Sequence, residues 1–216
     1  MKQTLYLIRH GTAQHNVLFQ TMGKRVFYDT RYIDTKLTHR GIEEAQQLGK
    51  TWNHPIDVVF TSSLTRTLET ANHVFKDKGV PIIALDILKE FPQGLQTCNQ
   101  RSPKSSMVQQ FPNIQFHLIQ DEQDTMWRND REETINELNQ RIHSFNDFLS
   151  ERQEMNIAIV CHNSFIGQYK DGNIGLLENG DKELLHCHPY IYGIQRPTAT
   201  PTTMTMWMKS PMAPAL

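Results

Sequence analysis

The sequence predicts an α/β fold, a three-layer sandwich in which a central, mostly parallel sheet carries helices on both faces and a cap-like insertion. Short apolar runs typical of strands alternate with segments that have an apolar face of helical period. Polar residues follow several of the strand-like runs directly. Alternating strands and helices form parallel βαβ units, whose carboxyl ends gather at one edge of the sheet. We therefore expect a ligand crevice at that edge.

The first half of the chain contains three predicted strands and two predicted helices. Residues 4–8 are rich in β-forming side chains and lead directly into Arg9-His10-Gly11. A helix follows Thr38, which is a favourable N-cap, and Pro55 ends it. The remaining elements of this half are strands at residues 56–60 and 82–85, with a helix after residues 61–63 between them.

The second half contains the predicted insertion, one long helix and a fourth strand. Residues 91–131 have no clear periodicity, so we interpret them as an insertion of the kind that is usually functional. Residues 132–152 carry an apolar stripe at helical spacing, and residues 156–161 are the fourth strand. Residues 197–216 are rich in Pro, Thr and Met and predict a flexible tail, which leaves one domain at residues 1–196.

Composition narrows the class of protein. The 216 residues favour a single domain, and 22 basic against 23 acidic residues give no sign of a nucleic-acid or membrane partner. No apolar run is long enough to cross a bilayer or to form a signal-peptide core. Three widely spaced cysteines without a CxxC pair fit a reducing compartment, so we predict a cytoplasmic protein. No heptad pattern predicts its oligomeric state.

Candidate catalytic residues stand where predicted strands end. Arg9 and His10 follow the first strand, His162 follows the fourth, and Arg66 lies one turn into the helix after the second. A guanidinium group suits phosphate because its fork donates two hydrogen bonds and never loses its charge. Neutral imidazole is a competent nucleophile near neutral pH. These positions predict a cluster that binds and attacks a phosphoryl group.

Several segments also follow one another in an order shared with a known family. They are Leu7-Ile8-Arg9-His10-Gly11-Thr12 with Asn16, residues 37–41, residues 61–71, Glu90, and Ile159-Val160-Cys161-His162. In this order they resemble branch 1 of the histidine phosphatase superfamily, which is also called the phosphoglycerate mutase-like family.

The resemblance implies a phosphohistidine mechanism. His10 would take the phosphoryl group from a small phosphorylated substrate, and water would then release phosphate. Arg9, Arg66 and His162 would surround the phosphoryl oxygens with help from Asn16, because donors aimed at those oxygens stabilise the transition state. The scheme requires no metal ion and no other cofactor.

The resemblance assigns the acid of this reaction to Glu90. This residue would protonate the departing alcohol and later take a proton from water, so burial should raise its pKa. Asp86, Asp121 and Glu122 are rival candidates in the same part of the chain.

Other residues differ from the family pattern or extend it. Thr12 replaces an acidic residue and Asn163 replaces a glycine. The residues after Glu90 lack the aromatic and glycine-rich stretch of the mutases. We therefore favour a phosphatase over a phosphoglycerate-type mutase. Arg101 lies in the insertion and is a candidate for binding a second anionic group of the substrate.

Two further alternatives remain open from the residues. One is a non-catalytic module that binds a phosphate ligand on the same scaffold, although such a module has no need for His10. The other is a metal site formed by His186, Cys187 and His188 with Cys98 or Cys161. The sequence has no second pair of residues at zinc-ligand spacing, which argues against this site. The sequence does not name the substrate.

Overall fold

A five-stranded sheet forms the centre of the part of the chain that the structure, a computed structural model, describes: residues 2–174 and 183–195. Its strands are β1 (Lys2–Arg9), β2 (Val58–Ser62), β3 (Ile82–Leu85), β4 (Asn156–Cys161) and β5 (Pro189–Gln195). They lie in the order β3-β2-β4-β1-β5. The first four run parallel, and β5 pairs antiparallel with β1. The predicted mostly parallel sheet is confirmed, while β5 is an addition that the sequence analysis missed.

Helices cover both faces of this sheet, as predicted. They are α1 (Gln14–Met22), α2 (Arg25–Tyr28), α3 (His39–Thr51), α4 (Thr65–Phe75), α5 (Lys104–Gln110), α6 (Ile135–Ser150) and α7 (Asn163–Asp171). Alternate side chains of β1 enter different cores: Tyr6 and Ile8 pack with α3 and α4, whereas Leu5 and Leu7 pack with α6 and α7. None of the helices in the described ranges is long and apolar enough to cross a membrane.

Most predicted elements agree closely with the observed ones. The bounds of β3 and β4 are those predicted, and Thr38 caps α3 by accepting a hydrogen bond from the Gly41 amide at 3.1 Å. Helix α6 begins at Ile135 rather than at residue 132, because Thr134 and Glu137 form a capping box. The predicted tail and the predicted domain end at residue 196 lie outside the described residues.

The insertion, residues 91–131, is part of the folded core. It contains α5, and five of its apolar side chains join the core beneath α3 and α4: Met107, Phe111, Ile114, Phe116 and Ile119. The backbone of Gln115 also hydrogen-bonds to Ile82 and Ala84 at the edge of the sheet. The insertion is therefore anchored to β3, and its packing fixes the segment that leads to Glu90.

Two glycines hold the end of β1 against the first turn of α3. A Cβ on Gly11 would lie 2.5 Å from the carbonyl oxygen of Gly41, and a Cβ on Gly41 would overlap the carbonyl oxygen of Thr12. The hydroxyl of Thr38 donates to the same Thr12 oxygen at 2.9 Å. Because only glycine permits this approach of two backbones, α3 locks the loop that follows His10.

We expect Gly41→Ala to lower the free energy of unfolding by about 1–3 kcal/mol, because the added methyl group meets backbone that cannot move freely. Helix propensity alone would favour alanine here. Gly49→Ala in the same helix is the matched control, since its Cβ would lie 3.1 Å from the carbonyl oxygens of His73 and Val74 and should cost less. Denaturant titration measures both variants. Equal or greater stability of Gly41→Ala relative to wild type would refute the packing argument.

Candidate active site

The carboxyl ends of three parallel strands bring the candidate residues together. Arg9 ends β1, Ser62 ends β2, and His162 follows β4 directly. Arg9 pairs with Cys161 in the register of β1 and β4, so His10 and His162 leave the sheet side by side. Their ring centroids are 5.2 Å apart. The parallel topology thus gathers side chains that lie about 150 positions apart in the sequence.

The environment of His10 leaves one ring nitrogen ready to attack. Its Nδ1 lies 2.7 Å from the carbonyl oxygen of Gly11, which can only accept, so Nδ1 carries the proton and Nε2 carries the lone pair. The side chain is 2% exposed. Burial lowers the pKa of His10 well below its usual value, and the positive charge of Arg66 lowers it further. At neutral pH the ring is therefore a neutral nucleophile with a fixed tautomer.

Arg66 presents a buried cation at the same place. Its side chain is 1% exposed, and it donates to the carbonyl oxygen of Cys98 at 2.7 Å and to Oδ1 of Asn99 at 2.9 Å. Both partners are neutral, and the buried Nε makes no hydrogen bond within the described residues. A guanidinium group held in this way keeps charge and a donor for an incoming anion.

Arg9 and His162, like Arg66, each have a buried nitrogen without a hydrogen-bond partner in the described residues. Arg9 donates to the Leu184 carbonyl at 2.7 Å and to Glu183 at 2.9 Å, while Nε2 of His162 lies 2.9 Å from the hydroxyl of Ser62. In the described part of the chain, Nε of Arg9 and Nδ1 of His162 have no partner although both are buried. Buried polar atoms are nearly always hydrogen-bonded, so this cluster is suited to an anionic ligand.

Glu90 is held at the beginning of α7. Its carboxylate accepts from the amide of Phe91 at 2.8 Å, of Phe165 at 3.3 Å and of Ser164 at 3.4 Å. Burial raises the pKa of Glu90, although the Phe91 amide and the charge of Arg66 act in the opposite direction. A raised pKa of Glu90 is what the sequence predicted for the acid of the reaction.

Among the rival acids, Asp86 is already bound to protein groups. It accepts from the hydroxyl of Ser63 at 2.5 Å and from Nε of Arg101 at 3.0 Å. Asp121 and Glu122 bind hydroxyl groups of Thr125 and Ser105 at the exposed side of the insertion. Of the four candidates, Glu90 is the one whose pKa burial raises, and the charges of Arg66 and Arg9 oppose that shift.

Asn16 caps a helix and also contacts a histidine that the sequence analysis did not single out. Its Oδ1 accepts from the Ala13 amide at 2.9 Å, and its Nδ2 lies 3.3 Å from Nε2 of His15. His15 is buried, its ring centroid is 6.0 Å from that of His10, and Nδ1 lies 2.6 Å from the hydroxyl of Thr35. Its position between two motif residues, Gly11 and Asn16, was the signal available in the sequence.

The structure replaces the substrate-binding role predicted for Arg101 with a structural one. This side chain is 3% exposed, and all of its five N–H groups are engaged within the protein. Nε donates to Asp86, and the terminal nitrogens donate to the backbone carbonyls of Ser102, Asp121, Glu122 and Gln123. Arg101 therefore joins residues 121–123 of the insertion to Asp86 beside the sheet and has no donor left for a substrate.

His186 contacts His10 from the side of β5. Its Nδ1 donates to the carbonyl oxygen of His10 at 2.5 Å, and the two ring centroids are 5.5 Å apart. Within residues 2–174 and 183–195, no group of three or more His, Cys, Asp or Glu side chains is arranged to hold a metal ion. The alternative metal site at His186, Cys187 and His188 therefore gains no support from the geometry.

The buried histidines make the stability of the fold depend on pH. The pKa values of His10, His15 and His162 lie well below the usual 6.5, mainly because burial disfavours the charged ring. An unfolded chain binds these protons near pH 6.5 and the folded chain does not. The free energy of unfolding is therefore highest above that pH. It falls as the pH falls below it, by about 1.4 kcal/mol per pH unit for each ring.

The free energy of unfolding of wild type should decrease between about pH 7.5 and about pH 5.5. We expect this decrease to be smaller in His15→Gln by roughly 1 kcal/mol. Urea titration at the two pH values measures the difference. His117→Gln is the control, because the side chain of His117 is exposed in the folded protein and its removal should leave the fall unchanged. A fall in His15→Gln as large as in wild type would contradict the assignment.

Comparison with known proteins places this geometry in a family. Residues 5–172 match the model of the histidine phosphatase superfamily (branch 1). Phosphoglycerate mutase-like protein 1 of Arabidopsis thaliana is 30% identical over 220 residues, which covers 87% of this chain and 74% of that protein. The 2,3-bisphosphoglycerate-dependent phosphoglycerate mutase of Actinobacillus pleuropneumoniae serotype 5b (strain L20) is 32% identical over 120 residues, which covers 53% of this chain and 48% of the mutase.

A solved structure supports the same assignment. The putative alpha-ribazole-5'-P phosphatase from Escherichia coli str. K-12 substr. MG1655 superimposes with a TM-score of 0.61 at 26% identity, covering 89% of this chain and 91% of that one. Similar proteins thus include both mutases and phosphatases. The chain is a member of branch 1 of the histidine phosphatase superfamily.

Proposed function

We propose that this protein is a phosphatase that hydrolyses a small phosphomonoester through a phosphohistidine on His10. The observation that carries the proposal is the neutral, buried His10 with its lone pair on Nε2. It is accompanied by buried nitrogens of Arg9, Arg66 and His162 that have no hydrogen-bond partner in the described part of the chain. A nucleophile and several donors for phosphoryl oxygens are therefore present in one cluster.

In the first step, Nε2 of His10 attacks phosphorus and the bond to the leaving oxygen breaks. Glu90 gives its proton to that oxygen, for which its raised pKa prepares it. In the second step, the ionised Glu90 takes a proton from water, the oxygen of water bonds to phosphorus, and His10 leaves as the neutral ring. Arg9, Arg66 and His162 stabilise the charge on the phosphoryl oxygens in both steps. Each step is balanced without a metal ion.

A phosphoglycerate-type mutase is the second candidate, because two of the similar proteins described above bear mutase or mutase-like names. A mutase holds a substrate with a second anionic group and protects the phosphohistidine from water. Arg101 was the residue in this chain expected to bind such a group, and its donors are all engaged elsewhere. This favours hydrolysis. A non-catalytic binding module is less well supported, since it would not need a neutral nucleophile.

We also propose a cytoplasmic location. Cys98 and Cys161 are buried and Cys187 is partly buried, and all three are unpaired, as suits a reducing compartment.

We expect wild-type protein to release phosphate from small phosphomonoesters in the presence of a chelator. His10→Ala should abolish the release, because no other group would accept the phosphoryl group. Glu90→Ala should lower turnover of alkyl esters by about 100- to 10,000-fold, the usual contribution of a general acid. His117→Ala is the matched control, since it removes an exposed histidine outside the site.

Phosphate release by His10→Ala at the wild-type rate would overturn the proposal. Wild-type protein that releases nothing from the esters, but transfers phosphate when primed with a bisphosphate, would establish the mutase instead. Binding of a phosphate ester with neither activity would leave the binding module as the correct function.

A further inference from the structure

The peptide that carries Glu90 lies in a segment without regular hydrogen bonding. Residues 86–88 form a single 3-10 turn, and Lys89 and Glu90 follow it before the chain enters the insertion. Neither a strand nor an α-helix fixes the direction of the Glu90 side chain. The backbone amides described above bind its carboxylate, and side chains from other elements hold the peptide units on either side of it.

Arg141 of α6 supplies the nearest such contact. Its Nη1 donates to the carbonyl oxygen of Ile87 at 3.0 Å and to that of Lys89 at 2.5 Å. The Lys89 carbonyl belongs to the same planar peptide unit as the nitrogen and Cα of Glu90. By holding this oxygen, Arg141 fixes the plane from which the Glu90 side chain projects.

The other side of the guanidinium group reaches the residues that follow Glu90. Nε and Nη2 of Arg141 donate to the two carboxylate oxygens of Glu133 at 2.9 and 2.8 Å. The same carboxylate accepts from the Gln93 amide at 3.1 Å, and the Gln93 side chain donates to the Glu90 carbonyl at 2.6 Å. The pair of Arg141 and Glu133 thus holds the chain on both sides of the acid.

A third contact joins Arg141 to the group that receives the carboxylate. The guanidinium carbon lies 5.4 Å from the ring centroid of Phe165, whose backbone amide donates to Oε1 of Glu90. Arg141 therefore touches both the peptide unit before the acid and the residue that binds its carboxylate. Only a planar fork can make these contacts together, and a lysine ammonium group would make few of them.

Stability alone is a poor explanation for this arrangement. Both charged side chains are almost completely buried. Burying an ion pair costs desolvation, and well-packed apolar side chains often stabilise a fold equally well. The pair instead gives the acid a fixed direction, which a reaction needs and a core does not.

We propose that Arg141 is a positioning residue that orients the carboxyl group of Glu90 toward the leaving oxygen of the substrate. This inference rests on the proposed phosphatase function and on Glu90 as its acid. Arg141 acts through Glu90 and need not touch the substrate. Its loss should therefore impair only those substrates that need a proton on the leaving group.

The test compares kcat/KM for two esters in wild type and Arg141→Lys. The alkoxide of glycerol 2-phosphate needs a proton as it leaves, whereas p-nitrophenolate leaves without one. We expect kcat/KM for glycerol 2-phosphate to fall roughly 10- to 100-fold, as misplacement of a catalytic group usually causes. The value for p-nitrophenyl phosphate should remain near that of wild type.

Two further variants separate positioning from folding. In Glu90→Gln protein, Arg141→Lys should cause no additional loss on the alkyl ester, because the group through which it acts is gone. Arg152→Lys is the matched control: Arg152 also pairs with a glutamate and lies over the Phe60 and Phe148 rings, but it stands before β4, at the opposite end of the sheet. It should leave both substrates unchanged.

Equal losses on both esters, or no loss on either, would overturn the inference. If Arg141→Lys does not fold, Glu133→Gln, which weakens the hold on Arg141, must show the same selective loss in smaller measure, and an equal loss on both esters would again refute it. Wild-type protein that releases phosphate from neither ester would instead refute the proposed function before any variant is considered.

Discussion

The site depends on two arginine side chains placed in the protein interior, of which Arg66 has no carboxylate partner among the residues that the structure describes. Arg66 is almost fully buried and bonds to a carbonyl and an amide oxygen, and Arg9 bonds to a carbonyl and to the exposed Glu183. Burying charge is unfavourable unless the charge is paired. Cys98 and Asn99 of the anchored insertion hold Arg66 in place, and the segment before β5 holds Arg9. The result is a cluster whose positive charge is complemented best by a bound anion.

The same burial prepares the two reacting groups in opposite ways. It lowers the pKa of His10 and raises the pKa of Glu90, so each group is driven toward its neutral form. In the proposed reaction, neutral histidine is the nucleophile and neutral glutamic acid is the proton donor. The arginines strengthen the first shift and oppose the second. The direction of the Glu90 side chain is a separate requirement, for which we propose the contacts of Arg141 and Glu133 on both sides of it.

Much of the fold could be predicted from local pattern. The strands β3 and β4 and the cap of α3 depend on residue types at short spacing, and these predictions agree with the structure. Helix α1 was missed because its only buried side chain is His15, so it has no apolar stripe. Strand β5 was missed because it lies at the edge of the sheet and exposes Ile191, so it lacks the fully buried pattern of β2 and β3.

The site was predictable only where the residues belong to motifs. The interpretation of Arg101 failed because its acceptors are backbone carbonyls at positions 102 and 121–123, which no sequence pattern reveals. The nearness of His186 to His10 is also a tertiary effect, which follows from the pairing of β5 with β1. Chemistry carried by side chains at strand ends can therefore be anticipated, whereas the contacts that orient them require the folded chain.

In the proposed reaction, His10 attacks phosphorus through Nε2. Phosphorus-31 NMR of rapidly denatured protein, after reaction with a phosphoryl donor at alkaline pH, distinguishes phosphate on Nε2 from phosphate on Nδ1. Because Nδ1 of His10 donates to the Gly11 carbonyl, the account predicts a signal of Nε2-phosphohistidine that is absent from His10→Ala. A phosphoryl group on Nδ1, or a labelled His10→Ala protein, would contradict it.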